Sequence, residues 1–168
     1  EIVLHGDGTL GENGWYVDDV TLVWEVNDDE SEVLWIEGCG EQQIDYDTLG
    51  VTFTCTATSA GGANSESVTI KRDATDPTVT ATASPLPNFF GWNNTNVTVS
   101  FTGTDAMSGI AYCTPDEVLS LEGEGISVSG TCTDYAGNVS ELATVSGIDI
   151  DKTPPTVTVT GVADGAVY

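Results

Sequence analysis

The sequence predicts an all-β protein built of antiparallel β-sandwiches in tandem, and three observations predict it. Apolar and polar residues alternate with a period of two in short runs, and nineteen Gly and six Pro punctuate those runs. One phrase is also written twice, as GWYVDDVTLVWEVND at 14 to 28 and GWNNTNVTVSFTGTD at 91 to 105. Trp15 falls on Trp92, Val20 on Val97, Trp24 on Phe101, Asp28 on Asp105 and Cys55 on Cys132, all at one constant offset. Cys39 and Cys113 depart from that offset through an insertion around Ile36 to Gly38. After a compensating gap, Gly-Ala-Asn at 62 to 64 answers Ala-Gly-Asn at 136 to 138. The junction phrases DATDPTVT at 73 to 80 and DKTPPTVTV at 151 to 159 repeat as well. The organisation expected is one domain over 1–76, a second over 77–153, and at 154–168 the first strand of a following, incomplete domain.

The elements follow in order along each repeat. The first strand is IVLHG at 2 to 6 and VTATA at 79 to 83. Trp15 and Trp92 stand just before the second strand, where each caps one end of its core. Val20, Leu22, Trp24 and Val26 then alternate with polar residues, as do Val97, Val99 and Phe101. Val51, Phe53, Cys55 and Ala57 are matched by Ile126, Val128, Gly130 and Cys132, which puts the second cysteine of each repeat on an inward face. Between strands lie Asp-Ala-Met-Ser-Gly, Glu-Gly-Glu-Gly and Asp-Tyr-Ala-Gly-Asn, turns in which Gly or Asn supplies positive φ. No segment carries a helical stripe. About seven strands per repeat at this turn spacing describe a sandwich of immunoglobulin type.

Charge narrows the function. The 27 acidic residues against three basic ones give a net charge of -24 and a pI near 4.1. With almost no Lys or Arg to replace counterions, binding to nucleic acid or to an anionic lipid surface is excluded. No apolar run is long enough to span a bilayer, and the start of the chain lacks the basic-then-apolar pattern of a secretion signal, so an export signal would lie outside it. Lys71, Arg72 and Lys152 sit near the repeat ends, where they are expected to pair at short range. Cys39, Cys55, Cys113 and Cys132 form no C-x-x-C pair and His5 is far from them in sequence, which favours disulfides over a structural zinc site. Four cysteines permit three connectivities; because each repeat carries its own pair, Cys39 with Cys55 and Cys113 with Cys132 are favoured. Such bridges imply an oxidising, extracellular or cell-surface setting.

The stretches FTGTDAMSGIAYC, TCTDYAGN and IDIDKTPPTVTVTG resemble the bacterial Ig-like repeats of large secreted or surface-anchored tandem-repeat proteins, closely over 77–168 and more loosely over 1–76. The resemblance implies a stalk, spacer, adhesin shaft or fibre unit whose partners are adjacent Ig-like domains of the same or neighbouring chains. It supplies no catalytic residues.

His5, in an edge strand, is a surface residue without a nucleophile to serve, no Gly-rich phosphate loop opens a helix, and an enzyme is not expected. Calcium binding is the most physical functional expectation. Hard cations need several clustered oxygen ligands, and Asp73, Asp76, Asp149 and Asp151 lie at the junctions, with Asp28 and Asp105 at the end of the second long strand. Asn93, Asn96 and Asn138 begin Asn-x-Ser/Thr triplets, in positions where loops could carry a glycan. A second functional reading is a carbohydrate- or protein-binding module gripping surface glycans or proteins through Trp15, Tyr16, Phe89, Phe90 and Trp92. A third is polymerisation by donation of the strand at 156 to 162 into a neighbour's sheet.

Overall fold

The computed structural model describes residues 1–161 and 165, and among them it holds strands and no helix. In chain order the strands are β1 (Ile2–Asp7), β2 (Trp15–Tyr16), β3 (Val20–Val26), β4 (Val33–Glu37), β5 (Gln42–Ile44), β6 (Thr48–Ser59), β7 (Gly62–Arg72), β8 (Thr78–Ser84), β9 (Trp92–Asn93), β10 (Val97–Thr104), β11 (Ile110–Cys113), β12 (Glu117–Leu119), β13 (Gly123–Gly130), β14 (Cys132–Asp134) and β15 (Ala143–Ile150).

In the N-terminal half a three-stranded sheet, β1-β3-β5, accompanies a four-stranded one, β2-β7-β6-β4. In the C-terminal half β8-β10-β12 repeats the first arrangement, while β9-β15-β13 and β14-β11 together repeat the second. The main pairings are antiparallel. The exceptions are β2 beside β7 and β9 beside β15, short parallel contacts made by the two strands that open with Trp15 and Trp92. This is an all-β fold of immunoglobulin-like sandwich type.

Alternation builds the cores. Val20, Leu22 and Trp24 on β3 are buried, as are Val97, Val99 and Phe101 on β10, while the residues between them face outward. One buried cluster joins Val20, Leu22, Ile44 and Ile70; another joins Val97, Val99, Phe101, Val128, Ile148 and Ile150. Each such side chain contributes about 1.5–3 kcal/mol on leaving water. Cys39 bridges Cys55 and Cys113 bridges Cys132, each pair within its own half. Cys132 is fully buried against Gly103, where an added Cβ would stand 2.7 Å from the Cys132 sulfur.

Two expectations are corrected. Gly-Ala-Asn at 62–64 is not the counterpart of Ala-Gly-Asn at 136–138. In the first half β6 and β7 continue to a tight hairpin in which Ser59 pairs with Gly62 and Ala57 with Asn64. In the second half the chain leaves the ladder after β14 and wraps around the Asp134 side chain, which accepts the N–H groups of Ala136, Gly137 and Asn138. The second correction is the strand expected over 156–162. Residues 156–160 form no strand and Val157 is 91% exposed, since no neighbouring strand offers hydrogen bonds there; residue 162 lies outside the described residues.

Candidate metal centre at the junction of the two halves

The segment that leaves β7 is held by a clamp. Arg72 donates from Nε to the Asp18 carbonyl at 2.9 Å, and from its two terminal nitrogens to Asp47 and Asp19 at 2.7 Å each. Asp47 in turn accepts the Ala74 N–H at 2.9 Å and the Thr75 hydroxyl at 2.5 Å. Partial burial works to raise the Asp47 carboxyl, but Thr75, Ala74 and Arg72 outweigh it and hold it below the usual range. Lys71 lies over the Trp15 ring at 4.8 Å and donates to the Asn13 carbonyl. The cations expected to pair at the repeat ends therefore tie loops of one end together.

This clamp delivers Asp73 to the other half. The Asp73 side chain is fully buried; Oδ2 accepts the Ser108 N–H at 2.9 Å, Oδ1 accepts its own Thr75 N–H at 3.2 Å, and its carbonyl accepts the Asn138 side-chain amide at 2.9 Å. Asp105 folds its loop by accepting the N–H groups of Met107 and Gly109, the latter at φ 80°. Asp134, fully buried, gathers its loop through Oδ1 and receives the Asn138 amide on Oδ2. Beside these contacts Glu12 donates its N–H to the Ala136 carbonyl at 2.8 Å, and the Asn13 amide donates to the Tyr135 carbonyl at 2.9 Å.

Asp73, Asp105 and Asp134 each bring a carboxylate oxygen to within 4.8 Å of the others. At such a separation two unit charges repel by roughly 3 kcal/mol at an effective dielectric of about 20. The ion pairs among the described residues are those of Arg72 and His5, so no Lys, Arg or His offsets this cluster. Buried charges are stabilised by a partner of opposite sign or by a metal, and oxygen ligands gathered this closely suit a hard divalent cation such as calcium.

The structure thus unites Asp73 and Asp105 from the six acids expected at a calcium site, and adds Asp134. The other four lie elsewhere. Asp28 sits at the far end of the N-terminal half, where the Ser59 hydroxyl and the N–H groups of Ser31 and Glu30 lower its carboxyl to about 2. Asp76 is exposed, Asp149 accepts the Gly125 N–H, and Asp151 accepts the Thr153 N–H. Among the aromatics, Trp15 is buried at 8% exposure and Tyr16 and Trp92 are half-buried. Phe89 and Phe90 stand out at 97% and 82% as an edge-to-face pair. The five therefore form no single exposed patch. Asn93 is corrected as a glycan site, because it is only 5% exposed and its amide donates to the Asp149 carbonyl. The Asn138 amide is likewise occupied in the junction, whereas Asn96 is exposed.

Close approach at the junction can be tested. A Cβ on Gly11 would overlap the Ala136 carbonyl and stand 2.7 Å from Val17. Gly11→Val is expected to push the halves apart and to raise hydrogen exchange at the Glu12 amide by about tenfold, the equivalent of one lost hydrogen bond. Unchanged protection at that amide would contradict the packing described.

No protein-family model matches the chain, and no curated protein matches it. Among solved structures the chain is similar to the fibronectin(III)-like modules of Clostridium thermocellum CbhA, at 12% identity and a TM-score of 0.41, covering 93% of this chain and 99% of that one. At that level the fold assignment rests on the strands, sheets and cores themselves.

Proposed function

We propose that the chain is a non-catalytic structural stretch of an extracellular protein, a rigid rod segment whose immunoglobulin-like units are joined end to end by a junction that calcium completes. The observation that carries this reading is the cluster of Asp73, Asp105 and Asp134, which takes one acid from the linker and two from loops of the following half. A linker bonded to both sides transmits force and direction instead of acting as a free hinge. The two disulfides fit an oxidising, extracellular setting, and the abundant carboxylates keep such a rod soluble.

Strand donation into another copy is the weaker reading. In the N-terminal half the position that residues 156–160 would take is filled by β1, paired with β3 along its whole length.

The test is thermal. Calcium is expected to raise the melting midpoint of the chain and a chelator to reverse the rise, whereas Asp105→Asn, which keeps an oxygen for the Met107 and Gly109 N–H groups, removes the calcium response while the fold persists. A calcium-independent midpoint in the unaltered chain would overturn the metal reading.

A further inference from the structure

The far end of the C-terminal half repeats the carboxylate-to-linker part of the clamp just described, with Ile150 where Arg72 stands, and nothing is seated on it among the described residues. Asp73 donates its N–H to the Tyr16 carbonyl, and Asp151 donates to the Asn93 carbonyl, so the two acids occupy one structural position. Asp73 Oδ1 accepts the Thr75 N–H; Asp151 Oδ1 accepts the Thr153 N–H. Asp47 accepts the Ala74 N–H and the Thr75 hydroxyl, and Glu122 likewise accepts the Lys152 N–H at 2.7 Å and the Thr153 hydroxyl at 2.9 Å. Those two donors hold the Glu122 carboxyl below its usual range. Lys152 ties the same end together by donating to Asn96 and to the Ser120 carbonyl.

The loop beside the clamp is matched too. Gly11 donates to the Trp15 carbonyl and Asn88 to the Trp92 carbonyl, both at 2.8 Å, which sets Phe89 and Phe90 where Glu12 and Asn13 stand in the first half. Glu12 and Asn13 are the residues that meet the loop around Ala136. Phe89 and Phe90 meet water instead, and exposed aromatics at a position whose counterparts, Glu12 and Asn13, hydrogen-bond across the junction mark an interface.

We propose that Phe89, Phe90, Asp151 and Thr153 form a seat for one further unit of this same kind, bearing loops like Asp105–Gly109 and Asp134–Asn138. The N-terminal half does not qualify as that occupant. Counted from the bridged cysteines, Ala57 stands where Asp134 stands, and the hairpin at Ser59–Gly62 replaces the loop that Asp134 gathers. The seat is therefore selective, and units added through it run in one direction. This inference rests on the junction reading above, and its test separates the two.

The experiment uses two extended chains: residues 1–155 followed by 78–168, and residues 1–155 followed by 1–73. Hydrogen exchange is followed at the Glu12 and Phe89 amides, with small-angle scattering for shape. In the first chain the Phe89 amide is expected to slow by about tenfold relative to the unextended chain, matching Glu12, and the particle to lengthen as a straight rod. In the second chain Phe89 stays fast. Protection at Glu12 without protection at Phe89 in the first chain overturns the seat and leaves the junction reading intact; exchange that is fast at both overturns the junction reading itself. Equal protection of Phe89 in both chains overturns the selectivity. Phe89→Ser with Phe90→Ser, both on the exposed surface, should leave the fold intact and return the first chain's added unit to free motion.

Discussion

Replacing Cys113 and Cys132 together with alanine lowers the stability of the C-terminal half by about 3 kcal/mol, because the bridge spans a sequence separation of 19 and restricts the unfolded chain accordingly. For a half of this size that corresponds to roughly 15 °C in melting midpoint. Strands β1–β7 share no pairing with β8–β15, and the two buried clusters are distinct, so calorimetry should show one transition moving while the other stays. Movement of both transitions together would mean that the halves unfold as one unit. Gly103 makes the same region sensitive from the other side, since the Cys132 sulfur occupies the space its side chain would need.

Asp134→Ala has an effect of similar size for a different reason. Three backbone N–H groups converge on one carboxylate oxygen at 2.7–2.9 Å, and truncation leaves them without that acceptor. Loss of about 3 kcal/mol is expected in calcium, read as a fall in the midpoint of the C-terminal half. Asp134→Asn separates two roles, as the amide oxygen still accepts the loop N–H groups while the negative charge is gone. The asparagine variant should retain most of the stability measured under chelation and lose the gain from calcium. If alanine and asparagine were equally harmful under chelation, the loop hydrogen bonds would not be what Asp134 contributes.

Much of the fold was legible in the sequence because its signals are local. The alternation of Val20, Leu22 and Trp24, echoed by Val97, Val99 and Phe101, needs only the period of a strand to be read. The cysteine pairing followed from each repeat carrying two. The site was only partly legible. Asp73 and Asp105 stood out by position, yet Asp134 read as turn chemistry, and its meeting with Asp73 depends on how the two halves approach, which no periodicity encodes. Asp28 shows the converse: it folds its loop as Asp105 does, each accepting the N–H two residues on, and lies at the same end of its half, but that end of the N-terminal half is the one away from the junction. The Gly-Ala-Asn match failed because similar residues serve a hairpin in one half and a side-chain-centred loop in the other.

The central claim is that the two halves keep one relative orientation through the carboxylate junction. Residual dipolar couplings of the backbone amides measure this directly. In calcium, couplings from residues 2–72 and 78–150 should fit a single alignment tensor, and chelation or Asp105→Asn should split them into two tensors of different magnitude. Two independent tensors in calcium, or one tensor unaffected by chelation and by the loss of Asp105, would contradict the account.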